Sequence, residues 1–284
     1  MNDNKILEFF GISTKTVENV NWNEIVSDQI CPFISSRCFK VRKSLPEISI
    51  GSCTVRYGRD EKDIIICPNR LLERNQVFTD CFHLLTLHVP GNELHVLSEI
   101  SVPGGSIDYF LVSAKDKKVK DFVAIEFQTL DTTGTVWPER QRLLLAAGIQ
   151  PNDDASSIKP FGMNWKMTAK TILVQLHHKI ETFEHFNKHL VLIAQDCLLD
   201  YMRGEFRFEH LNNPALIGDS MHIHSYSLNH NNNAFRLNLN SRLSTDADGM
   251  ATCLGLQAEA KIELEQIIAE LEKKLDDNTL LKIL

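Results

Sequence analysis

The chain has 284 residues, 43% of them apolar and 24% charged, with 30 Lys and Arg against 37 Asp and Glu for a formal net charge of −7. That composition excludes a disordered, collagen-like or coiled-coil chain for the bulk of the sequence, and the length suffices to bury a core without disulfide staples. No run approaches the ~18–20 consecutive apolar residues of a membrane span. The polar start Met1-Asn2-Asp3-Asn4-Lys5 lacks the apolar stretch of a signal peptide, so the expectation is a cytoplasmic protein with no membrane contact.

The charge is uneven. Between Cys31 and Arg74, nine bases (Arg37, Lys40, Arg42, Lys43, Arg56, Arg59, Lys62, Arg70, Arg74) face five acids (Glu47, Asp60, Glu61, Asp63, Glu73), a local +4 that leaves −11 on the remainder. A basic module on an acidic body suits a polyanion contact confined to one face, and a merely solvated basic surface is the other reading.

In chain order, residues 1–30 read as a short helical lead-in, with Ile6, Leu7, Phe9 and Phe10 apolar on one side. The basic stretch that follows holds four of the seven cysteines, Cys31, Cys38, Cys53 and Cys67, spaced C-x6-C-x14-C-x13-C. Cytosolic thiols stay reduced, so clustered cysteines read as metal ligands before disulfides. Four thiolates suit zinc or a single iron, and two of the cysteines open Cys-Pro dipeptides that help turn the chain around an ion. Cys81, Cys197 and Cys253 sit in apolar surroundings and read as small core residues. Glu47–Ile50 and Asp63–Ile66 are strand-like.

A regular pattern then begins. Val77–His88 reads as a buried helix stopped by Pro90-Gly91, followed by strands over Leu94–Ser101, Ser106–Ser113 and Phe122–Thr129. After a long polar connection, Met167–Phe186 is an amphipathic helix and Leu190–Ala194 a continuously apolar strand buried on both faces. A hairpin follows, Met221–Leu228 with Phe235–Leu243 around Asn231-Asn232-Asn233, and Leu254–Leu275 reads as a surface helix. The fold class is therefore α/β or α+β, divided as residues 1–74 (lead-in helix and cysteine module), 75–200 (core) and 201–284 (hairpin and helix packed on the core).

The chemistry lies on the second and third strands. Asp108 follows Gly104-Gly105-Ser106-Ile107, and Glu126-Phe127-Gln128 comes eighteen residues later. A side-chain period of two puts Ala124, Glu126 and Gln128 on one face and Val123, Ile125 and Phe127 on the other. A hairpin brings Asp108 alongside. Two carboxylates converging among apolar residues are costly unless a cation neutralises them, and an all-oxygen set suits Mg²⁺. The bland reading is a turn-capping Asp and a solvent-facing Glu.

Helix, three strands carrying D…E-x-Q, helix, strand resembles the core of the PD-(D/E)XK nucleases. With the basic four-cysteine module in front, the chain resembles the NotI-like (NotI and EagI) type II restriction endonucleases. The residues that carry this are Cys31-Pro32, Cys53, Cys67-Pro68-Asn69-Arg70, Gly105-Ser106-Ile107-Asp108, Glu126-Phe127-Gln128 and Thr135-Val136-Trp137-Pro138-Glu139-Arg140. Ile107 stands where the signature has Pro, and the x6 spacing leaves Cys38 the least secure ligand. The resemblance implies a mixed sheet flanked by helices, with Asp108, Glu126 and the Phe127 carbonyl holding Mg²⁺, Gln128 in place of the usual lysine, and Glu99 or Glu93 as a further acid. It implies structural iron in the four-cysteine site, although the sequence does not separate iron from zinc. It also implies a homodimer that cleaves double-stranded DNA at a palindrome with a GGCC core, and a cognate methyltransferase that protects the host without binding the enzyme. Arg37, Arg42, Lys43, Arg56, Arg59, Arg140 and Arg142 are candidates to meet DNA.

Other classes are weaker. Gly218-Asp219-Ser220 suggests a serine hydrolase, but no histidine follows His230. His222-x-His224 shares one strand face that suits a metal, with a polar hairpin face as the plainer account. His177, His178, His185 and His189 read as surface. The rivals to the nuclease reading are a non-catalytic metal-stabilised DNA-binding protein and a PD-(D/E)XK nuclease of DNA repair.

Overall fold

The expected lead-in helix is instead a strand. In the computed structural model, which describes residues 4–15, 20–102, 105–151, 159–255 and 268, Ile6–Phe9 forms β1 with all four side chains buried. A surface helix needs a solvent face, and this run has none. Glu8 is accommodated because Arg70 and Thr54 donate to its carboxylate. Strand β1 joins Ile12–Ser13 (β2), Ser52–Tyr57 (β3) and Lys62–Ile65 (β4) in an antiparallel sheet of order β2-β1-β3-β4. Between β2 and β3 lies a short helix α1, Trp22–Asp28, capped by Asn21.

A ₃10 segment Pro68–Asn75 and helix α2, Gln76–Cys81, lead to the main sheet. Helix α2 is shorter than expected because the chain tightens to ₃10 geometry at Phe82–Leu84. Strands β5 (Glu93–Val102), β6 (Gly105–Lys115) and β7 (Lys118–Gln128) form an antiparallel meander. Helix α3 (Trp137–Ala146) occupies part of the long polar connection. Its polar Glu139, Arg140 and Gln141 are buried, which disguises the helix in the sequence.

Helix α4 (Trp165–His185) then crosses over to β8 (His189–Gln195), parallel to β7, and α5 (Asp196–Glu205) leads to β9 (Met221–Asn231), parallel to β8. Strand β10 (Ala234–Thr245) closes the hairpin, giving the order β10-β9-β8-β7-β6-β5. Asn232 and Asn233, at φ 47 and 63, make the two-residue turn with both residues left-handed, as a type I′ turn requires. The hairpin therefore continues the main sheet.

The sheet divides the core. Ile172, Leu173, Leu176, Ile180 and Phe183 of α4 pack with Phe110, Ala124, Leu190 and Leu192 on one face. Leu71, Val77, Phe78 and Cys81 pack with Leu111, Val123, Ile125 and Val191 on the other. The chain is thus mixed α+β with helices on both faces of its main sheet. Helix α6 spans Ala247–Leu254 and ends at Gly255 in the left-handed conformation; beyond it, the expected Leu254–Leu275 helix falls outside the described residues apart from Ile268, which is helical. No helix among the described residues is long and apolar enough to cross a membrane.

Candidate functional site

Strands β6 and β7 pair as far as Tyr109 opposite Ile125. Asp108 and Glu126 flank that pair and face one another. Oδ2 of Asp108 accepts from the Phe127 N–H at 2.8 Å, which fixes the carboxylate at the strand ends. Glu126 is 4% exposed, on the α4 face with Ala124. Burial pushes its carboxyl up to about 7, against the pull of the Lys179 ammonium and aided by Asp108, to which it is hydrogen-bonded. Buried Glu126, on the face that the alternation of β7 predicts, thus meets half-buried Asp108.

The sequence reading missed Lys179. From α4 its Nζ reaches Oε1 of Glu126 at 2.6 Å and the Ser106 carbonyl at 2.7 Å. The only sequence signal was a lysine on the apolar side of α4, in step with Leu176 and Phe183. Gln128 is half-buried, and its amide donates to the Thr129 carbonyl at 2.6 Å.

Glu99 and Asp108 line one cleft of about 470 Å³ with Tyr109 and Phe127; Ile34, Phe39, Pro68 and Asn69 of the cysteine module form its other wall. Glu99 sits at φ 55 between Ser98 and Ile100, which pair with Tyr109 and Ile107 in one continuous register that sets Glu99 across from Asp108. Both acids push up the Tyr109 phenol, after burial itself. Glu93, the alternative acid, is exposed and 3.5 Å from His95. Of the two, Glu99 belongs to the cleft.

Cys31, Cys38, Cys53 and Cys67 are all buried and unbridged. Cys53 donates to Cys67, which holds the Cys67 thiol below and the Cys53 thiol above the ordinary range. Cys31 and Cys38 lie within electrostatic reach of Cys67. Backbone N–H groups point at the sulfurs: Phe33 and Ile34 at Cys31, Lys40 and Gly51 at Cys38, Asn69 and Arg70 at Cys67. Burial outweighs these donors at Cys31 and Cys38, whose thiols are held above the ordinary range, whereas Cys67 is held below it. As a set, four sulfurs suit zinc or iron. As placed, no three His, Cys, Asp or Glu side chains among the described residues form a group that holds a metal ion.

Several basic candidates have structural partners. Arg140 is 1% exposed, lies over the Phe9 and Trp137 rings and donates to the Ile50 carbonyl. Arg142 pairs with Glu139 at 2.7 Å, Arg56 with Asp63 and Glu61, Arg37 donates to the Glu47 carbonyl and Arg42 lies over Trp137. Lys43 and Arg59 are exposed. His189, expected at the surface, is buried, and both it and His222 bond to the Asp219 carbonyl. Burial pushes His222 down to about 4 and His224 well below the usual imidazole range, so both are neutral at physiological pH.

Neither protein-family models nor curated proteins match this chain.

Proposed function

We propose that this chain is a Mg²⁺-dependent DNA nuclease of the PD-(D/E)XK type, acting as a type II restriction endonuclease. The observation that carries the reading is the meeting of Asp108 and Glu126 across β6 and β7, beside a cleft walled by the basic cysteine module. The helix–three strands–helix–strand order of α2, β5–β7, α4 and β8 supports it, as do the two parallel strands after the meander.

Asp108, Glu126 and the Phe127 carbonyl would hold the divalent ion, with Glu99 on the lip of the cleft. Once bound, the ion supplies an activated water and stabilises charge on the phosphate. Gln128 carries no charge, so it serves by orienting water through a hydrogen bond. The phosphodiester enters from the open cleft, where Phe39 and Asn69 lie opposite the acids. Cys31, Cys38, Cys53 and Cys67 would hold a structural iron or zinc that steadies these loops. Homodimerisation and a GGCC-centred palindrome follow from the resemblance.

Incubation with plasmid DNA and Mg²⁺ tests the proposal. Discrete bands support a restriction enzyme, smearing indicates a less specific nuclease of the repair type, and intact, retarded DNA indicates a non-catalytic binder. Asp108→Ala and Glu126→Ala should each abolish cutting while sequence-specific binding in Ca²⁺ persists. Elemental analysis should find about one iron or zinc per chain, lost in Cys67→Ser.

A further inference from the structure

The two acids already have a cation beside them, and it comes from an unexpected place. Lys179 and Glu126 side chains are each 6% exposed and their charged atoms lie 2.6 Å apart. Burying an ammonium costs several kcal/mol unless it is paired. Here the surroundings are shaped for it. The Ser106 carbonyl takes a second N–H at 2.7 Å. Gly105, at φ 137, leaves room for the lysine stem, because a Cβ there would lie 3.2 Å from its Cε. Gln128, whose position in the strand the resemblance gives to lysine, turns its neutral amide to Thr129 instead.

We infer that Lys179 is the resident counter-cation of the two-acid site and its positioning residue. It fixes Oε1 of Glu126 and leaves the second oxygen, with Asp108, to meet a divalent ion. With both acids ionised, two carboxylates and one ammonium sum to −1, and Glu99 on the lip adds another negative charge. The site therefore still attracts a divalent cation after Lys179 has removed the worst of the repulsion. The identity of that ion rests on the nuclease reading above, whereas the counter-cation role does not.

The test uses the full chain as wild type, Lys179→Met, Lys179→Arg and the double variant Lys179→Met/Glu126→Gln. Three quantities are read: melting temperature in EDTA and its shift on adding Ca²⁺, DNA affinity in Ca²⁺, and cleavage rate at saturating DNA. Lys179→Met should melt lower than wild type in EDTA and gain more from Ca²⁺, because the ion takes over the missing charge. Its cleavage should fall about a hundredfold, with DNA affinity within about twofold of wild type and partial recovery in Lys179→Arg. The double variant should melt higher in EDTA than Lys179→Met, since it removes the acid left unpaired. A Lys179→Met protein with the wild-type Ca²⁺ shift and cleavage rate overturns the inference, as does a double variant no more stable than the single one. If wild type fails to cut DNA but the melting pattern holds, the nuclease reading falls and Lys179 keeps its role.

Discussion

Among the described residues, the charge clusters around Arg70 and around Glu126 are built on opposite plans. In one, Arg70 is fully buried and uses every arm: Nε to both oxygens of Glu8 at 3.0 and 2.8 Å, Nη1 to Glu73 at 2.9 Å and Nη2 to the Phe235 carbonyl at 3.0 Å. Glu73 in turn takes Arg236 at 2.7 Å and the Leu237 N–H at 2.9 Å. Two acids meet two bases, and the cluster ties β1 to the β9–β10 hairpin. In the other, a single ammonium, that of Lys179, pairs with Glu126, and Asp108 beside them has no base of its own among the contacts of the described residues. Complete compensation makes a clamp. A shortfall of positive charge beside an open cleft makes a place for an ion.

Several experiments sharpen the contrast. The largest effect belongs to the unbalanced cluster and to chemistry: Asp108→Ala should slow DNA cleavage by about four orders of magnitude, or about 5 kcal/mol, while urea unfolding shifts little. Arg70→Met should do the reverse, costing about 3–5 kcal/mol in urea unfolding because two buried carboxylates lose their partner. The smallest effect is pH-linked. Glu126 holds its proton up to about 7 in the folded chain, whereas a free carboxyl loses it near 4.5. Within that window the unfolded chain binds fewer protons, so stability falls as pH rises and the cost is complete above it. Glu126→Gln removes this dependence. In EDTA its advantage over wild type should grow across the window to about 3 kcal/mol, read from melting temperature against pH. A flat difference would mean that the acid is not held protonated.

The same comparison separates what the sequence disclosed from what it hid. The period-two alternation that set Glu126 apart from Ile125 and Phe127 is the alternation of β7, and β8 and the Asn-turned hairpin lie where their apolar runs place them. These signals are local. The clusters are not: Glu8 and Arg70 are 62 residues apart, and Glu126 and Lys179 are 53 apart. Composition thus presented Arg70 as part of a basic surface and Lys179 as one more helix position. Buried polar residues misled in the same way, concealing α3 behind Glu139, Arg140 and Gln141 and leaving His189 and His222 with no sign of their burial. A charge that is matched only across the fold looks, in one dimension, like a charge meant for water.

The cysteine module has one more property, which bears on any attempt to trim or transplant it. Cys31 and Cys38 belong to the same extended apolar cluster as Ile107 and Ala124 of the acid-bearing strands. Asn4 donates to the Glu139 carbonyl, and the side chain of Gln195 accepts from the Ile65 N–H. A cut after residue 74 would therefore expose apolar core that the module shares with the main sheet rather than release an appendage. Swapping these loops for others of different specificity would have to carry their apolar footing along with the sulfurs.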